Sequence, residues 1–98
     1  MAAAPERLII EGSAVLRLPR HVKFRFDETR QSWVVLAPER LLLPDPPAVE
    51  ILKLIDGARS VDAIVDDLAA RFTAPREIIA ADVLAMLQDL ADKGVLAA

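Results

Sequence analysis

The chain has 98 residues, enough for one domain around one modest core. It is 54% hydrophobic but only 4% aromatic, and its 28% charged residues set it apart from disordered and membrane classes. No apolar run approaches the roughly 20 residues that span a bilayer, and the start, Met1 to Glu6, lacks the basic flank and apolar stretch of a secretory signal. The absence of cysteine removes disulfides, thiolate metal sites and cysteine nucleophiles, and suits a cytoplasmic protein. Residues 1–45 carry seven Lys/Arg against six Asp/Glu, whereas residues 46–98 carry five against nine. A nucleic-acid binder would normally concentrate positive charge on its helical part.

Residues 1–17 read as a flexible tail or linker, Ala-rich at first, then an isolated apolar patch at Leu8-Ile9-Ile10, then Glu11-Gly12-Ser13. The other reading of that patch is a segment docking on a neighbouring molecule or adding a strand. A folded domain is expected over 18–98. Val22, Phe24 and Phe26 alternate with Lys23 and Arg25, the period of a half-buried strand. After the polar turn 27–32, Trp33 to Ala37 form a second strand, apolar on both sides. Pro38-Glu39 breaks it, and Arg40 to Leu43 give a short third strand stopped by Pro44.

Helices follow. Asp45 is placed to cap a first helix with Pro46 at its first position, and Gly57 suits a left-handed stop. Ser60 caps a second helix, whose buried stripe is expected to hold Val61, Ile64, Val65, Leu68 and Phe72. Pro75 opens a third and longest helix, closed by Gly94, with Ile79, Val83, Met86, Leu87 and Leu90 on one face. Val95-Leu96 can fold back over the core. The fold class expected is α+β and winged-helix-like: a three-stranded antiparallel sheet followed by three helices.

Catalytic groups are scarce. The lone histidine, His21, sits at a strand start between Arg20 and Lys23 with no acid nearby in sequence, which suits a solvated side chain. Ser13, Ser32 and Ser60 fall in a tail, a turn and a cap, none within a nucleophile elbow. Asp62, Asp66 and Asp67 lack the loop oxygens that a cation site needs. An enzyme is therefore not expected, nor a metal or cofactor. A winged-helix DNA-binding domain is the alternative, but its recognition helix would carry Glu77, Asp82, Asp89 and Asp92 against Arg76 and Lys93. A general protein-interaction domain is the broader form of the remaining class. A short edge strand offers free backbone groups to an extended peptide, although leucines such as Leu41 to Leu43 are more often plain core residues than a peptide groove.

Taken together, Leu18-Pro19-Arg20-His21-Val22-Lys23-Phe24-Arg25-Phe26-Asp27-Glu28, Trp33, Ala37-Pro38-Glu39-Arg40, Glu50-Ile51-Leu52, Asp56-Gly57, Val61-Asp62-Ala63-Ile64, and Asp82-Val83 with Leu87, Leu90 and Gly94 carry a resemblance. The chain is similar over about Pro19 to Leu96 to the PqqD family of pyrroloquinoline quinone (PQQ) biosynthesis. That resemblance implies a RiPP recognition element, a domain that binds the leader of a ribosomally made precursor peptide. Here the peptide would be PqqA, presented to the radical S-adenosylmethionine enzyme PqqE, with clusters and cofactor belonging to the partner. It implies a peptide groove between the third strand and the third helix. Arg40, Leu41, Leu42 and Leu43 would line one side and Ile79, Asp82, Val83 and Met86 the other. Such domains resemble ones that are sometimes fused to another enzyme of the pathway, which fits a linker at the N-terminus.

Overall fold

The computed structural model describes residues 8–98, and the first part of the expected tail, residues 1–7, lies outside them. Three strands, β1 (Lys23–Asp27), β2 (Ser32–Ala37) and β3 (Arg40–Leu42), form an antiparallel sheet in the order β1-β2-β3. Helices α1 (Pro46–Leu52), α2 (Val61–Arg71) and α3 (Arg76–Asp92) follow, as the α+β reading requires. β2 is the central strand and hydrogen-bonds on both edges, and its Val34 and Val35 are buried on opposite faces. The β1–β2 register sets Phe24 opposite Val35 and Phe26 opposite Trp33. Phe24 stacks on Trp33 at 4.7 Å, while Phe26 meets the same ring edge-on at 5.8 Å and stays 43% exposed. Phe26 therefore keeps the predicted phase but not the predicted burial, because it lies at the outer end of an edge strand.

Local chemistry fixes the helix ends. The Asp45 carboxylate accepts from the Ala48 N–H at 3.0 Å, and the Ser60 hydroxyl from the Ala63 N–H at 3.1 Å. α3 closes in a Schellman arrangement. Val95 N–H donates to the Leu90 carbonyl and Gly94 N–H to that of Ala91, with Gly94 at φ +79°. α1 is shorter than the periodicity predicts, ending at Leu52 rather than near Gly57. Residues 53–56 turn instead, the Asp56 side chain accepting from the Ala58 and Arg59 N–H groups. Gly57, at φ +75°, brings its N–H to the Leu16 carbonyl at 3.1 Å.

Two expectations fail against packing. Phe72, assigned to the buried stripe of α2, is 49% exposed, because α2 ends at Arg71 and the backbone turns extended at Phe72. The stretch 8–17 is no loose lead-in. Ile10 and Leu16 belong to the main core, and the chain pairs with distant segments. Asp62 and Val61 N–H donate to the Gly12 and Ala14 carbonyls, and Arg17 exchanges two hydrogen bonds with Ala97. The core thus joins Leu16, Val22, Val35, Leu52, Val61, Ile64, Val83, Leu87 and Val95.

Candidate functional site

β3 pairs with β2 alone, so its second edge leaves backbone donors and acceptors without sheet partners. Pro38-Glu39 is the whole connection, since Ala37 pairs with Arg40. A reversal this tight needs a left-handed residue, and Glu39 supplies it at φ +61°. Alternation then separates the leucines. Leu42 lies opposite Val35 and packs against the core, whereas Leu41 pairs with Leu36 on the other face and is 42% exposed. Leu43, beyond the strand, is 61% exposed. Arg40 shares the phase of Leu42 and reaches α3, where its Nη1 donates to the Lys93 carbonyl at 3.2 Å. A guanidinium there also faces the negative end of the α3 dipole.

That contact orients the strand against the helix: the start of β3 meets the C-terminal end of α3. Farther along, Leu42 and Leu43 bound a cavity of about 310 Å³ together with Met86, Leu90 and Lys93 of α3 and Ala48 and Leu52 of α1. Its rim carries Asp45, committed to capping, and Asp89, paired with Lys93 at 2.8 Å. A second cavity of about 370 Å³ lies nearer the start of α3, among Ile51, Leu68, Phe72, Ile79, Val83 and the prolines at 46 and 47. Its polar groups are Glu50 and Asp82. Glu50 is held below the ordinary glutamate range by hydrogen bonds from Lys53 and then Arg71, each at 3.2 Å.

The eight residues expected to line one groove are therefore distributed over four environments. Leu42, Leu43 and Met86 meet in the first cavity; Ile79, Asp82 and Val83 belong to the second. Ile79 and Val83 are themselves core residues, so only their edges reach it. Arg40 closes the end of the β3–α3 junction, and Leu41 faces away. The expected lining leaves out the walls supplied by α1 and the end of α2, Pro46, Pro47, Ile51, Leu68 and Phe72 among them. In the sequence Pro46 signals only a helix start, and the spacing of Phe72 continues the buried stripe of α2.

No helix is long and apolar enough to cross a membrane among the described residues. Within the same residues, no group of three or more His, Asp or Glu side chains is arranged to hold a metal ion.

A family model described as coenzyme PQQ synthesis protein D (PqqD) matches residues 32–96. The PqqA binding protein of Rhodopseudomonas palustris (strain BisB5) is 71% identical over 93 residues, which cover 95% of this chain and 91% of that protein. The bifunctional coenzyme PQQ synthesis protein C/D of Methylorubrum extorquens is 47% identical over 97% of this chain, which spans 26% of that longer protein. Among solved structures, the solution structure of the PqqD truncation of Methylobacterium extorquens PqqCD is similar, at 48% identity and a TM-score of 0.77. The match covers 91% of this chain and 95% of that one, and that truncation is described as a functional, stand-alone RiPP recognition element. With two thirds of its length under the family model and such relatives over nearly all of it, the chain belongs to the PqqD family.

Proposed function

We propose that this protein binds the PqqA precursor peptide as an added antiparallel strand on β3 and presents it to the radical S-adenosylmethionine enzyme PqqE, catalysing nothing itself. The observation that carries the reading is the open edge of β3 beside an apolar cavity shared with α3 and α1. Backbone pairing would supply affinity without sequence preference, and the cavity between Leu42 and Met86 would select an apolar side chain. The names of the relatives, PqqA binding protein and RiPP recognition element, support the peptide as ligand. The fused C/D relative supports an association with other proteins of the pathway. A chain without cysteine leaves cluster and cofactor chemistry to the partner and is compatible with the reducing cytoplasm.

Titration of isotopically labelled protein with synthetic PqqA tests the reading. Amide resonances of residues 38–44 and of the groove side of α3 should shift together. Shifts confined to the β1–β2 hairpin would reject the β3 edge as the site. Leu42→Asp and Met86→Asp should weaken binding in variants that circular dichroism shows to be folded, because a charge in the cavity goes unsolvated.

A further inference from the structure

The two cavities lie on one stripe of α3. Ile79, Asp82, Val83, Met86, Leu90 and Lys93 occupy about one third of the helix circumference at 100° per residue. Both cavities also share α1 as a wall, through Glu50 and Ile51 on one side and Ala48 and Leu52 on the other. From Ile79 to Lys93 the stripe runs roughly 21 Å at 1.5 Å per residue. β3, with three residues, covers only roughly 10 Å of it. A ligand paired with β3 alone would leave the Phe72–Ile79 end of the trough empty.

Resting on the peptide-binding reading above, we propose that the cavity between α1, the end of α2 and the first half of α3 takes a second apolar anchor of the same peptide. This anchor lies N-terminal to the segment that pairs with β3. The direction follows from two contacts. Arg40 at the start of β3 touches Lys93 at the end of α3, so the strand runs toward the N-terminal half of that helix. Past Leu42 the chain leads through Pro44 to Pro46 and Pro47, which wall the second cavity. A strand added antiparallel to β3 therefore has its N-terminal side at this cavity. The middles of the two cavities are about eight helical residues apart, roughly 12 Å, which an extended chain crosses in about four residues.

The chemistry of the anchor is set by its walls. Phe72, half in solvent, and Ile79 offer apolar surface, and about 370 Å³ accommodates a large aliphatic or aromatic side chain. Asp82 sits at the rim, exposed and joined to no cation among the described residues. Glu50 is already engaged by Lys53 and Arg71. A basic residue next to the anchor would pair with Asp82, so the ligand motif is a bulky apolar residue flanked by Lys or Arg, about four residues before the strand segment.

The test compares synthetic PqqA with a shortened peptide that begins at the strand-pairing segment located by the titration, using calorimetry on the full chain. Phe72→Ala should weaken binding of the full peptide about tenfold, as loss of one buried apolar contact implies, and leave the short peptide unchanged. Asp82→Lys should show the same asymmetry, whereas Leu42→Asp should weaken both. Full-peptide affinity unaltered by Phe72→Ala and Asp82→Lys, with Leu42→Asp still damaging, would overturn the second anchor while sparing the β3 site. Equal losses on both peptides would also overturn it, since the substitution would then act through the fold. Failure of both peptides to bind the unaltered protein would instead remove the reading on which the inference rests.

Discussion

Leu16→Ala is the sharpest test of whether the stretch before β1 is structural. Leu16 is 1% exposed and sits in the main core, so truncation removes three buried heavy atoms from a packed site. Buried Leu→Ala changes cost about 2–5 kcal/mol, the range reflecting how far the surroundings collapse. Collapse is restricted here. The Leu16 carbonyl accepts from Gly57 at 3.1 Å, and the next residue exchanges hydrogen bonds of 2.8 and 2.9 Å with Ala97. A backbone pinned on both sides keeps its cavity, so the expected loss is in the upper half of the range, about 3–4 kcal/mol. Set against a typical domain stability of about 5–15 kcal/mol, that is a large fraction. At about 4–8 °C per kcal/mol for a domain of this size, the thermal midpoint should fall by roughly 12–30 °C. Urea unfolding followed by far-ultraviolet circular dichroism gives the free energy, with Val15→Ala, a 39% exposed neighbour, as the near-neutral control. A loss below about 1 kcal/mol for Leu16→Ala would refute the assignment of this segment to the core.

Gln88→Ala should cost about 1–2 kcal/mol, because Gln88 Oε1 accepts from Ile10 N–H at 2.9 Å and its Nε2 donates to the Leu8 carbonyl at 2.7 Å. Hydrogen exchange at the Ile10 amide should accelerate well beyond that of the α2 amides. Asp45→Ala should cost about 1 kcal/mol by releasing the Ala48 N–H, read as a lower urea midpoint at unchanged slope. Stability should fall on acidification. Asp56, bonded first by the Arg59 and then the Ala58 backbone N–H, and Glu50, bonded by Lys53 and Arg71, are both held below their ordinary values of 3.8 and 4.5. The folded state therefore binds fewer protons than the unfolded one. Their contribution is complete above those ordinary values and is lost as pH drops through the lowered ones. Asp56→Asn should flatten the urea midpoint against pH in that window.

What the sequence made legible was what neighbouring residues decide. Asp45, Ser60 and Gly94 act within four residues of themselves, and their caps follow from side-chain chemistry at a helix end. The Pro38-Glu39 reversal and the double-sided burial of β2 are likewise local. The errors concern either partners far along the chain or the residue at which a helix stops. Ile10 and Leu16 are held in the core by backbone hydrogen bonds to Gln88 and Gly57, with Arg17 paired to Ala97, which no periodicity within residues 8–17 can announce. Phe72 continues the α2 spacing but falls one residue past the last turn, where the backbone no longer points it inward. In the run Leu41-Leu42-Leu43, composition cannot decide which leucine faces the core; the pairing of Val35 with Leu42 does.

α3 carries three surfaces with different demands, and this explains its mixed composition. Val83, Leu87 and Leu90 fix it to the core; Gln88 and the part-buried Leu84 hold it from behind, where Leu8 and Ile10 lie; Asp82, Met86 and Asp89 face the trough. A helix required only to pack would be apolar on a single stripe. Here the side away from the trough must also be anchored, since β3 is three residues long and contacts α3 through Arg40 at its end. The Gln88 amide meets this need by bonding the Leu8 carbonyl and the Ile10 N–H, two backbone groups of one segment. Leu16 and the Arg17–Ala97 pairing tie that segment to the C-terminal stretch that follows Gly94. Residues 8–17 thus lie on the side of α3 away from the trough, bonded to Gln88 at one end and to Ala97 at the other, so the trough keeps its open side between α3 and β3.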